Sequence, residues 1–475
     1  MPLDLTVALA AVALVIVVLA TYGSKYKKAS IGIATASFIG AIIVLLLEGL
    51  GVLGSPVSPG PTTVVASDWI SILFGVSILV VSLLVGLGAS DYMKDSPNLS
   101  SFYSLLVFTT IGALMLAFAT DLLMIFVAWE LMSIPSYVLV GFRKKDPQSN
   151  EAAVKYFIIS AFASGVLLYG ISLVYLLTGS TNIYQMLAAT SGYQPVAVLA
   201  LTFVLAGFGI KLAAVPFHMW IPDSYQGAPT VVSALLSAGT KGAAFAPAAR
   251  IFFVIFGASA FQTDWSLVFA VLAVLSMTLG NFAALTQRSV TRILAYSSIG
   301  QAGYILIGFA SGGTAGLTGS FFHILNYAVM QSGAFLAAAL IIRQVGSDRI
   351  EAFNGVGRRL TVAPVTLTLA LLALGGIPPL NGFWSKLVLF YSAINANLGW
   401  LAAIAIINSF VSIAFYFRIV KHMYVDEGDS AGRLLESNGF RAALIIASVI
   451  IVLAGIYPYP FIQFASVTAN SFLHP

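Results

Sequence analysis

The sequence predicts an all-α integral membrane protein with about fourteen transmembrane helices. Of its 475 residues, 59% are hydrophobic and only 8% are charged, whereas soluble domains contain about 25% charged residues. Apolar stretches of about 20 residues, the length that a helix needs to cross a bilayer, recur along the whole chain. Basic residues also cluster in alternate connections between these stretches. Together these observations exclude a soluble enzyme, a nucleic-acid-binding protein and a disordered chain.

Fourteen apolar stretches lie between glycine, proline or charged residues, and each is predicted to form a helix. They cover residues 5–21, 29–53, 68–89, 102–118, 121–141, 152–177, 196–221, 229–256, 264–285, 292–310, 315–342, 362–396, 398–423 and 440–457. The first stretch has no basic residue before it and Lys25, Lys27 and Lys28 after it, the reverse of a signal peptide. We therefore expect a retained helix whose N-terminus lies outside.

The distribution of basic residues agrees with fourteen helices. Seventeen of the 22 lysine and arginine residues fall in the seven connections that such a chain places on one face, and the opposite connections contain none. Cytoplasmic connections are the ones rich in lysine and arginine. We therefore expect both termini on the non-cytoplasmic side of a prokaryotic plasma membrane.

Cofactor motifs are missing from the sequence. The absence of cysteine excludes disulfides, thiolate-bound metals and iron–sulfur clusters on this chain, and four histidines leave little for haem or copper. The glycine-rich fingerprints of dinucleotide and phosphate binding are also absent. We therefore expect no cofactor and no metal on this chain, and we expect any redox chemistry to belong to partner subunits.

Four ionisable residues lie deep inside the apolar stretches: Glu130, Lys211, Lys241 and Lys386. A charge at the bilayer centre costs about 2.5–3.5 kcal/mol on insertion scales. A structural ion pair explains only part of this set, because one carboxylate cannot neutralise three lysines. Burial favours the neutral amine and a nearby carboxylate favours the ammonium, so a lysine whose neighbour changes can take up and release a proton.

Two other basic residues lie within about two turns of a predicted helix end. Lys155 and Arg250 are therefore expected to extend their head groups to the membrane surface.

Two of the predicted helices contain breaks beside buried lysines. Pro216 follows Lys211 by five residues, and Pro378 and Pro379 precede Lys386 by two turns. Proline lacks the N–H that would continue the helical ladder. Irregular backbone at membrane depth is tolerated in protein or beside water-filled cavities, and paired broken helices often mark ion sites. An ordinary proline kink is the alternative for either break.

Polar side chains recur at helical spacing on four predicted helices. The four stripes are Glu130–Ser133–Tyr137, Ser233–Ser237–Lys241, His323–Tyr327–Gln331 and Asn408–Ser412–Tyr416. A single stripe more often mediates helix–helix contact, whereas four stripes indicate the wall of a hydrated path. His323 could equally be an ordinary core histidine.

Three motifs resemble a known family. Residues 211–230 (KLAAVPFHMWIPDSYQGAPT), 294–304 (LAYSSIGQAGY) and 382–386 (GFWSK) are similar to signatures of the antiporter-like subunits of respiratory complex I, and within them most similar to subunit N. The resemblance extends from about the fourth to the thirteenth predicted helix. It implies two inverted five-helix repeats, helices 4–8 and 9–13, each with one broken helix.

The resemblance also implies boundaries and roles. The chain would divide into an N-terminal part, two antiporter-like halves and a C-terminal helix with a tail, at residues 1–120, 121–256, 264–424 and 425–475. The implied proton-translocating residues are Glu130, Lys211, Lys241 and Lys386. Lys155 and His218 are weaker candidates, and His323 is retained from its stripe alone, because no family role falls on it.

The implied function is proton translocation by a membrane subunit of a quinone-reducing complex, coupled to electron transfer elsewhere. Its partners would be the other membrane-arm subunits and the lipid bilayer, and the quinone, iron–sulfur clusters and flavin would be held by those partners. Two alternatives stay open. The chain could be a subunit of a multisubunit sodium/proton antiporter, or a structural subunit whose charges only hold the bundle together.

Overall fold

The computed structural model describes residues 2–21, 26–188, 195–257, 259–428, 432 and 434–474 as a bundle of helices. Within these ranges, extended backbone forms isolated bridges only. The helices are α1 Pro2–Thr21, α2 Lys27–Gly49, α3 Trp69–Tyr92, α4 Leu99–Phe118, α5 Leu122–Val140, α6 Pro147–Thr178, α7 Pro195–Leu212, α8 Trp220–Gly227, α9 Thr230–Ala234, α10 Lys241–Ala243, α11 Phe245–Arg250, α12 Ser259–Thr286, α13 Val290–Ser311, α14 Gly313–Val345, α15 Val356–Arg359, α16 Val362–Gly375, α17 Asn381–Asn395, α18 Gly399–Tyr424, α19 Asn438–Ile456 and α20 Tyr459–Leu473.

The observed helices differ from the predicted ones in two places. Between α9 and α10 the backbone is π-helical over Leu235–Thr240, and it is π-helical again over Ile251–Ile255 after α11. The sequence analysis predicted one plain helix over this stretch. It also predicted only a tail after the last span, whereas α20 packs against α3 and α14, with Phe464 meeting Trp69 edge-on at 6.1 Å between ring centroids.

Eleven helices of the described chain are long and apolar enough to cross a membrane, and twelve if the bent pair of Ile350–Arg359 with Val362–Gly375 counts as one span. The protein is therefore a multi-pass membrane protein. Two of the basic residues used for the charge pattern, Lys25 and Arg433, lie outside the described residues.

Polar side chains fix where the helices begin. Asp121 and Asp146 accept hydrogen bonds from the first backbone N–H groups of α5 and α6, and Ser289 does the same for α13. The first N–H groups of a helix have no partner inside it, so such caps stabilise the start. These three helices contribute Glu130, Lys155 and the residues around Gln301. By fixing where each helix begins, the caps also fix the positions of those side chains along the helix axes.

The centre of the bundle is formed by α13 and α14, which are buried along almost their whole length. Close packing between helices of the bundle depends on small residues. At Gly112 of α4, an added Cβ would lie 2.2 Å from the backbone nitrogen of Met132 on α5. At Gly280 of α12, it would lie 2.7 Å from the backbone nitrogen of Gly300. Neither position has room for a side chain.

Replacing Gly112 with alanine should push α4 away from α5, because the added methyl meets backbone that cannot move aside. Overpacking of this kind costs about 1–3 kcal/mol, so the melting temperature of the purified protein should fall. Gly165→Ala on α6 is the control, since nothing lies within 4 Å of its added Cβ. Equal melting temperatures for the two variants would contradict the close α4–α5 contact.

Candidate functional site

Lys211 lies at the end of α7, with its amine inside the bundle. Its side chain is 2% exposed, and Nζ donates a hydrogen bond to Ser133 Oγ of α5 at 2.7 Å. The faces of Trp129 and Tyr156 lie 5.3 and 5.7 Å from Nζ, within the range of cation–π attraction. A serine hydroxyl and two aromatic rings therefore surround this amine.

Glu130 stands one helical turn before Ser133 on α5 and is half-buried. Its carboxylate accepts a short hydrogen bond from Ser164 of α6. In the described part of the chain, Glu130 and Lys211 form no direct ion pair. The Glu130 carboxylate and the Lys211 amine thus bind different serine hydroxyls, and the serine that binds Lys211 lies one turn after Glu130 on α5.

The break beside Lys211 is held by side chains from other segments. After α7 ends, Ala213 has a left-handed φ of 60° and the Val215–Pro216 peptide bond is cis. The Val215 N–H donates to Ser276 Oγ at 2.9 Å, and the indole of Trp220 donates to the carbonyl of Ile210, also at 2.9 Å. The backbone groups that the broken ladder leaves free thus find partners within the protein.

Lys241 follows the π-helical turns at the middle of the bundle and is 1% exposed. Its Nζ donates to Ser298 of α13 twice, in a short bond to the carbonyl and at 2.9 Å to the hydroxyl. Ser298 Oγ and Tyr327 Oη lie 2.8 Å apart, and that phenol also donates to the carbonyl of Ser237. Lys241 is therefore linked to the polar stripe of α14 through one serine.

Lys386 lies on α17, just after the second break, and is 3% exposed. Its Nζ donates to Ser409 Oγ at 3.0 Å and sits 4.3 Å from the centroid of the Tyr304 ring. Ser409 in turn donates to the carbonyl of Gly375, the last residue of α16. Gly376 has a φ of 81°, and a Cβ there would lie 3.0 Å from Lys386 Cδ, so only glycine suits this turn.

The second break contains the cis peptide bond between Pro378 and Pro379, and both prolines are exposed. Beside it, the lysine side chain borders a cavity of about 160 Å³ whose other walls are mainly aromatic and aliphatic. Lys241 and Lys386 form no ion pair among the described residues, so neither amine has a carboxylate partner there.

His323 is fully buried on α14. Its Nε2 lies 3.0 Å from Gln301 Oε1 of α13, and its Nδ1 lies 2.9 Å from Ser385 Oγ of α17. The sequence analysis singled out His323 but neither Gln301 nor Ser385. Both belong to the quoted motifs, and Gln301 lies one helical turn after Ser298. This spacing is the sequence feature from which Gln301 could have been predicted.

Lys155 and His218 lie away from the buried lysines. The Lys155 side chain is 44% exposed and forms ion pairs with Glu151 at 2.8 Å and Asp223 at 2.9 Å. His218 is half-buried in the segment between α7 and α8, and its Nδ1 has no hydrogen-bond partner in the described structure. The structure therefore does not bring Lys155 or His218 together with the three buried lysines.

The prediction that Arg250 extends to the membrane surface was wrong. Its guanidinium is completely buried and forms two hydrogen bonds of 2.7 Å with Asp68, the residue before α3. Tyr184 and Ser71 accept further hydrogen bonds from it. An internal carboxylate 182 residues away along the chain satisfies the charge, which the local sequence could not reveal.

Among the described residues, no group of three histidine, cysteine, aspartate or glutamate side chains gathers in a way that could hold a metal ion. The polar atoms that bind the three lysine amines are instead serine hydroxyls, from Ser133, Ser298 and Ser409, and the backbone carbonyl of Ser298. A serine hydroxyl can both donate and accept a hydrogen bond, so these partners can bind a lysine in its charged and in its neutral form.

Replacing Asp68 with asparagine should strongly destabilise the protein, because it leaves the buried guanidinium of Arg250 without a counter-charge. Removing one partner of a buried ion pair costs about 3–5 kcal/mol. Asp95→Asn is the matched control, because Asp95 also pairs with an arginine, Arg343, but is 81% exposed. The melting temperatures of the two purified variants provide the measurement, and a fall no larger for Asp68→Asn than for Asp95→Asn would refute the role of this pair.

Comparisons with known proteins agree with these features. Residues 119–412 match the family model described as "NADH:quinone oxidoreductase/Mrp antiporter, TM". The chain is 39% identical to the F(420)H(2) dehydrogenase subunit N of Methanosarcina mazei over 96% of both chains, and 40% identical to the NADH-quinone oxidoreductase subunit N of Heliobacterium modesticaldum over 83% of both.

A chain of respiratory complex I from Thermus thermophilus has the same fold, with a TM-score of 0.81 and 30% identity over 98% of this chain and 100% of that one. The family match covers well over half of the sequence and includes all three buried lysines and both broken helices. This protein therefore belongs to the NADH:quinone oxidoreductase/Mrp antiporter transmembrane family.

Proposed function

We infer that this chain is the proton-translocating membrane subunit of a quinone-reducing complex similar to respiratory complex I. The observation that carries this inference is the set of three buried lysines, Lys211, Lys241 and Lys386, which are held by hydroxyls, carbonyls and aromatic rings. A lysine meant only to lock the bundle would be expected to pair with a carboxylate, since a buried charge is stabilised by a partner of opposite charge.

We place fourteen transmembrane spans in this chain, with both termini on the non-cytoplasmic side of a prokaryotic plasma membrane. Three interrupted or shorter segments support a number above eleven: α1, the succession of α9 to α11 with its π-helical turns, and α16 followed by α17. The basic residues support the orientation, because 17 of the 22 lie in alternate connections.

We further propose two inverted five-helix repeats, α4 to α11 and α12 to α18, and two antiporter-like halves that cover residues 121–256 and 264–424. Each half contains one broken helix, and each break lies beside a buried lysine, Lys211 or Lys386. Broken helices in corresponding positions of two repeats are a common basis of ion sites in transporters.

In the proposed mechanism, electron transfer in partner subunits changes the charge near Glu130, which is half-buried beside Ser164. A weaker negative field there releases a proton from Lys211 towards Lys241, and the centre of the bundle passes a proton on to Lys386. Flavin, iron–sulfur clusters and quinone act on the partner subunits, while this chain supplies the path. Because the named relatives use different electron donors, the donor is a property of a partner.

The first test replaces Lys241 with methionine, which keeps the length of the side chain and removes its charge. Proton-transfer groups contribute factors of about 10²–10⁴ to rates, so we expect proton translocation per quinol formed to fall at least about tenfold. Membrane vesicles that contain the assembled complex and a pH-sensitive dye provide the measurement.

Lys144→Met is the control, since Lys144 is exposed outside the helices. Wild-type proton translocation by an assembled Lys241→Met complex would exclude Lys241 from the path. A loss of assembly in this variant before any loss of activity would favour the structural alternative instead.

The second test identifies the parent assembly, because the family also contains antiporter subunits. We expect the natively purified protein to bring with it subunits that carry iron–sulfur clusters and a quinone site, which mass spectrometry and electron paramagnetic resonance would detect. Recovery of small hydrophobic subunits only, in a complex without redox centres, would establish the sodium/proton antiporter alternative.

A further inference from the structure

The cavity beside Lys386 opens on the outer surface of the bundle. Its walls come from the break after α16, from α17 and from α18, and its volume is about 160 Å³. Three apolar side chains of the wall, Leu387, Ile406 and Phe410, are exposed. They form the mouth of the cavity, which therefore lies between α17 and α18.

The mouth lies at membrane depth. Ser409, a residue of the cavity wall, is ten residues after Gly399 at the start of α18 and fifteen before Tyr424 at its end. Since an α-helix rises about 1.5 Å per residue, this wall is at least about 15 Å from either end of α18. The hydrocarbon core of a bilayer is about 30 Å thick, so the cavity opens towards lipid and not towards water.

The amine of Lys386 belongs to the wall of this cavity. The structure gives its Nζ one hydrogen bond, to Ser409 Oγ at 3.0 Å. A Cβ on Gly376, another residue of the wall, would lie 3.7 Å from Nζ. An ammonium has three N–H donors. With one donor bound to Ser409 and one ring face, that of Tyr304, close to Nζ, at least one donor remains for an acceptor inside the cavity.

The described chain supplies no carboxylate as that acceptor. Between residues 290 and 420 the sequence contains two acidic residues, Asp348 and Glu351, and both follow the end of α14 outside the apolar helices. A buried charge is stabilised by a partner of opposite charge. The cavity is therefore complementary to a ligand that brings a negative charge and an apolar chain.

The depth and the size of the cavity restrict the anionic group of that ligand. A charge in hydrocarbon is costly, so a group that can arrive uncharged is favoured. A carboxyl group can do so by carrying its proton, whereas the phosphodiester of a phospholipid stays ionised. A cavity of about 150 Å³ holds a molecule the size of benzene. The Lys386 cavity thus has room for a carboxyl group and a few methylenes, but not for a phospholipid headgroup with its glycerol.

We propose that the Lys386 cavity binds single-chain carboxylic acids of the bilayer, of the long-chain fatty acid type, which enter between α17 and α18. The acid arrives uncharged and gives its proton to the neutral Lys386 amine. The O–H bond breaks, an N–H bond forms, and the total charge is unchanged. The carboxylate and the ammonium remain as an ion pair, Ser409 keeps its hydrogen bond to Nζ, and the chain extends past Ile406 and Phe410 into lipid.

The site itself goes beyond the proposed function, and one consequence rests on that function. A carboxylate next to an ammonium favours the charged form of the lysine. If Lys386 must release a proton in each cycle, a bound acid holds it in the charged form. The acid should then slow the whole complex, because electron transfer and proton translocation are coupled.

The first part of the test is photochemical labelling of the natively purified complex in phosphatidylcholine nanodiscs. The probe is palmitic acid with a diazirine in its chain, which attaches to the side chains it touches, and mass spectrometry locates the adducts. We expect adducts on α17 and α18 at the mouth of the cavity. Free palmitic acid should displace the probe at least about tenfold more effectively than methyl palmitate, which has the same chain but no acidic proton.

Two variants test the charge and the shape of the site separately. Lys386→Met removes the amine, and Ile406→Trp places a larger ring at the mouth. Both should lower the adducts there at least about tenfold. The matched controls are Lys421→Met, an exposed lysine near the end of α18, and Ile407→Trp, an exposed isoleucine outside the cavity wall.

Three outcomes of the labelling would overturn the proposal. The first is as many adducts in Lys386→Met and Ile406→Trp as in their controls, and the second is equal displacement by methyl palmitate. The third is a wild-type complex without adducts at the mouth, because a partner subunit would then cover the cavity.

The second part is quinol formation by the same complex at increasing concentrations of palmitic acid. Leakage of protons through the bilayer does not slow this reaction, so inhibition reports binding. We expect the concentration that halves the rate to be at least about tenfold higher in Ile406→Trp than in Ile407→Trp. Equal concentrations would overturn inhibition from this cavity. Adducts at the mouth with no loss of quinol formation would uphold the site and count against Lys386 as a proton carrier.

Discussion

The structure depends on how three lysine amines can be buried in a membrane bundle when none of them binds a carboxylate among the residues that the structure describes. Removing an ammonium from water is costly unless other groups replace the lost hydrogen bonds. At Lys211 and Lys386 that group is one serine hydroxyl beside an aromatic face, and at Lys241 it is the carbonyl and hydroxyl of Ser298. Such partners stabilise an ammonium moderately and also accommodate a neutral amine. A bound carboxylate would instead hold the lysine in its charged form.

This arrangement explains why the helices that carry the lysines are irregular. A regular transmembrane helix uses all its backbone groups internally, so it offers only side chains to its neighbours. The break between α16 and α17 makes the carbonyls of Gly375 and Leu374 available to Ser409 and Gln301. At the break after α7, Trp220 and Ser276 bind the backbone groups that are left free. The broken backbone thus supplies polar partners at membrane depth.

Local sequence patterns predicted the helices and the buried lysines, because both depend on residues close together in the chain. An isolated lysine in an apolar stretch is visible by itself, and so is a proline near it. Long-range partners could not be predicted in this way. The wrong expectation for Arg250 arose because Asp68 is distant in sequence. Ser133, which binds Lys211, belongs to a predicted stripe, whereas Ser298 and Ser409, which bind Lys241 and Lys386, do not differ in type from serines that only bond within their own helix. The amphipathic helix α20 was missed because it is too short to resemble a span.

The placement of acidic residues gives the row of lysines a direction. Of the acidic residues within α5 to α18, Glu130 alone lies more than two turns from a helix end. Its negative field therefore acts on Lys211 more than on Lys386, since Coulomb energies decrease with distance. Glu130 is also half-buried at one side of the bundle, where a neighbouring chain can alter its surroundings. In the proposed mechanism, a charge change next to Glu130 would therefore act on Lys211 first. The proposed signal from a partner subunit would thus enter this chain at Glu130, at the end of the lysine series that lies nearest to a carboxylate.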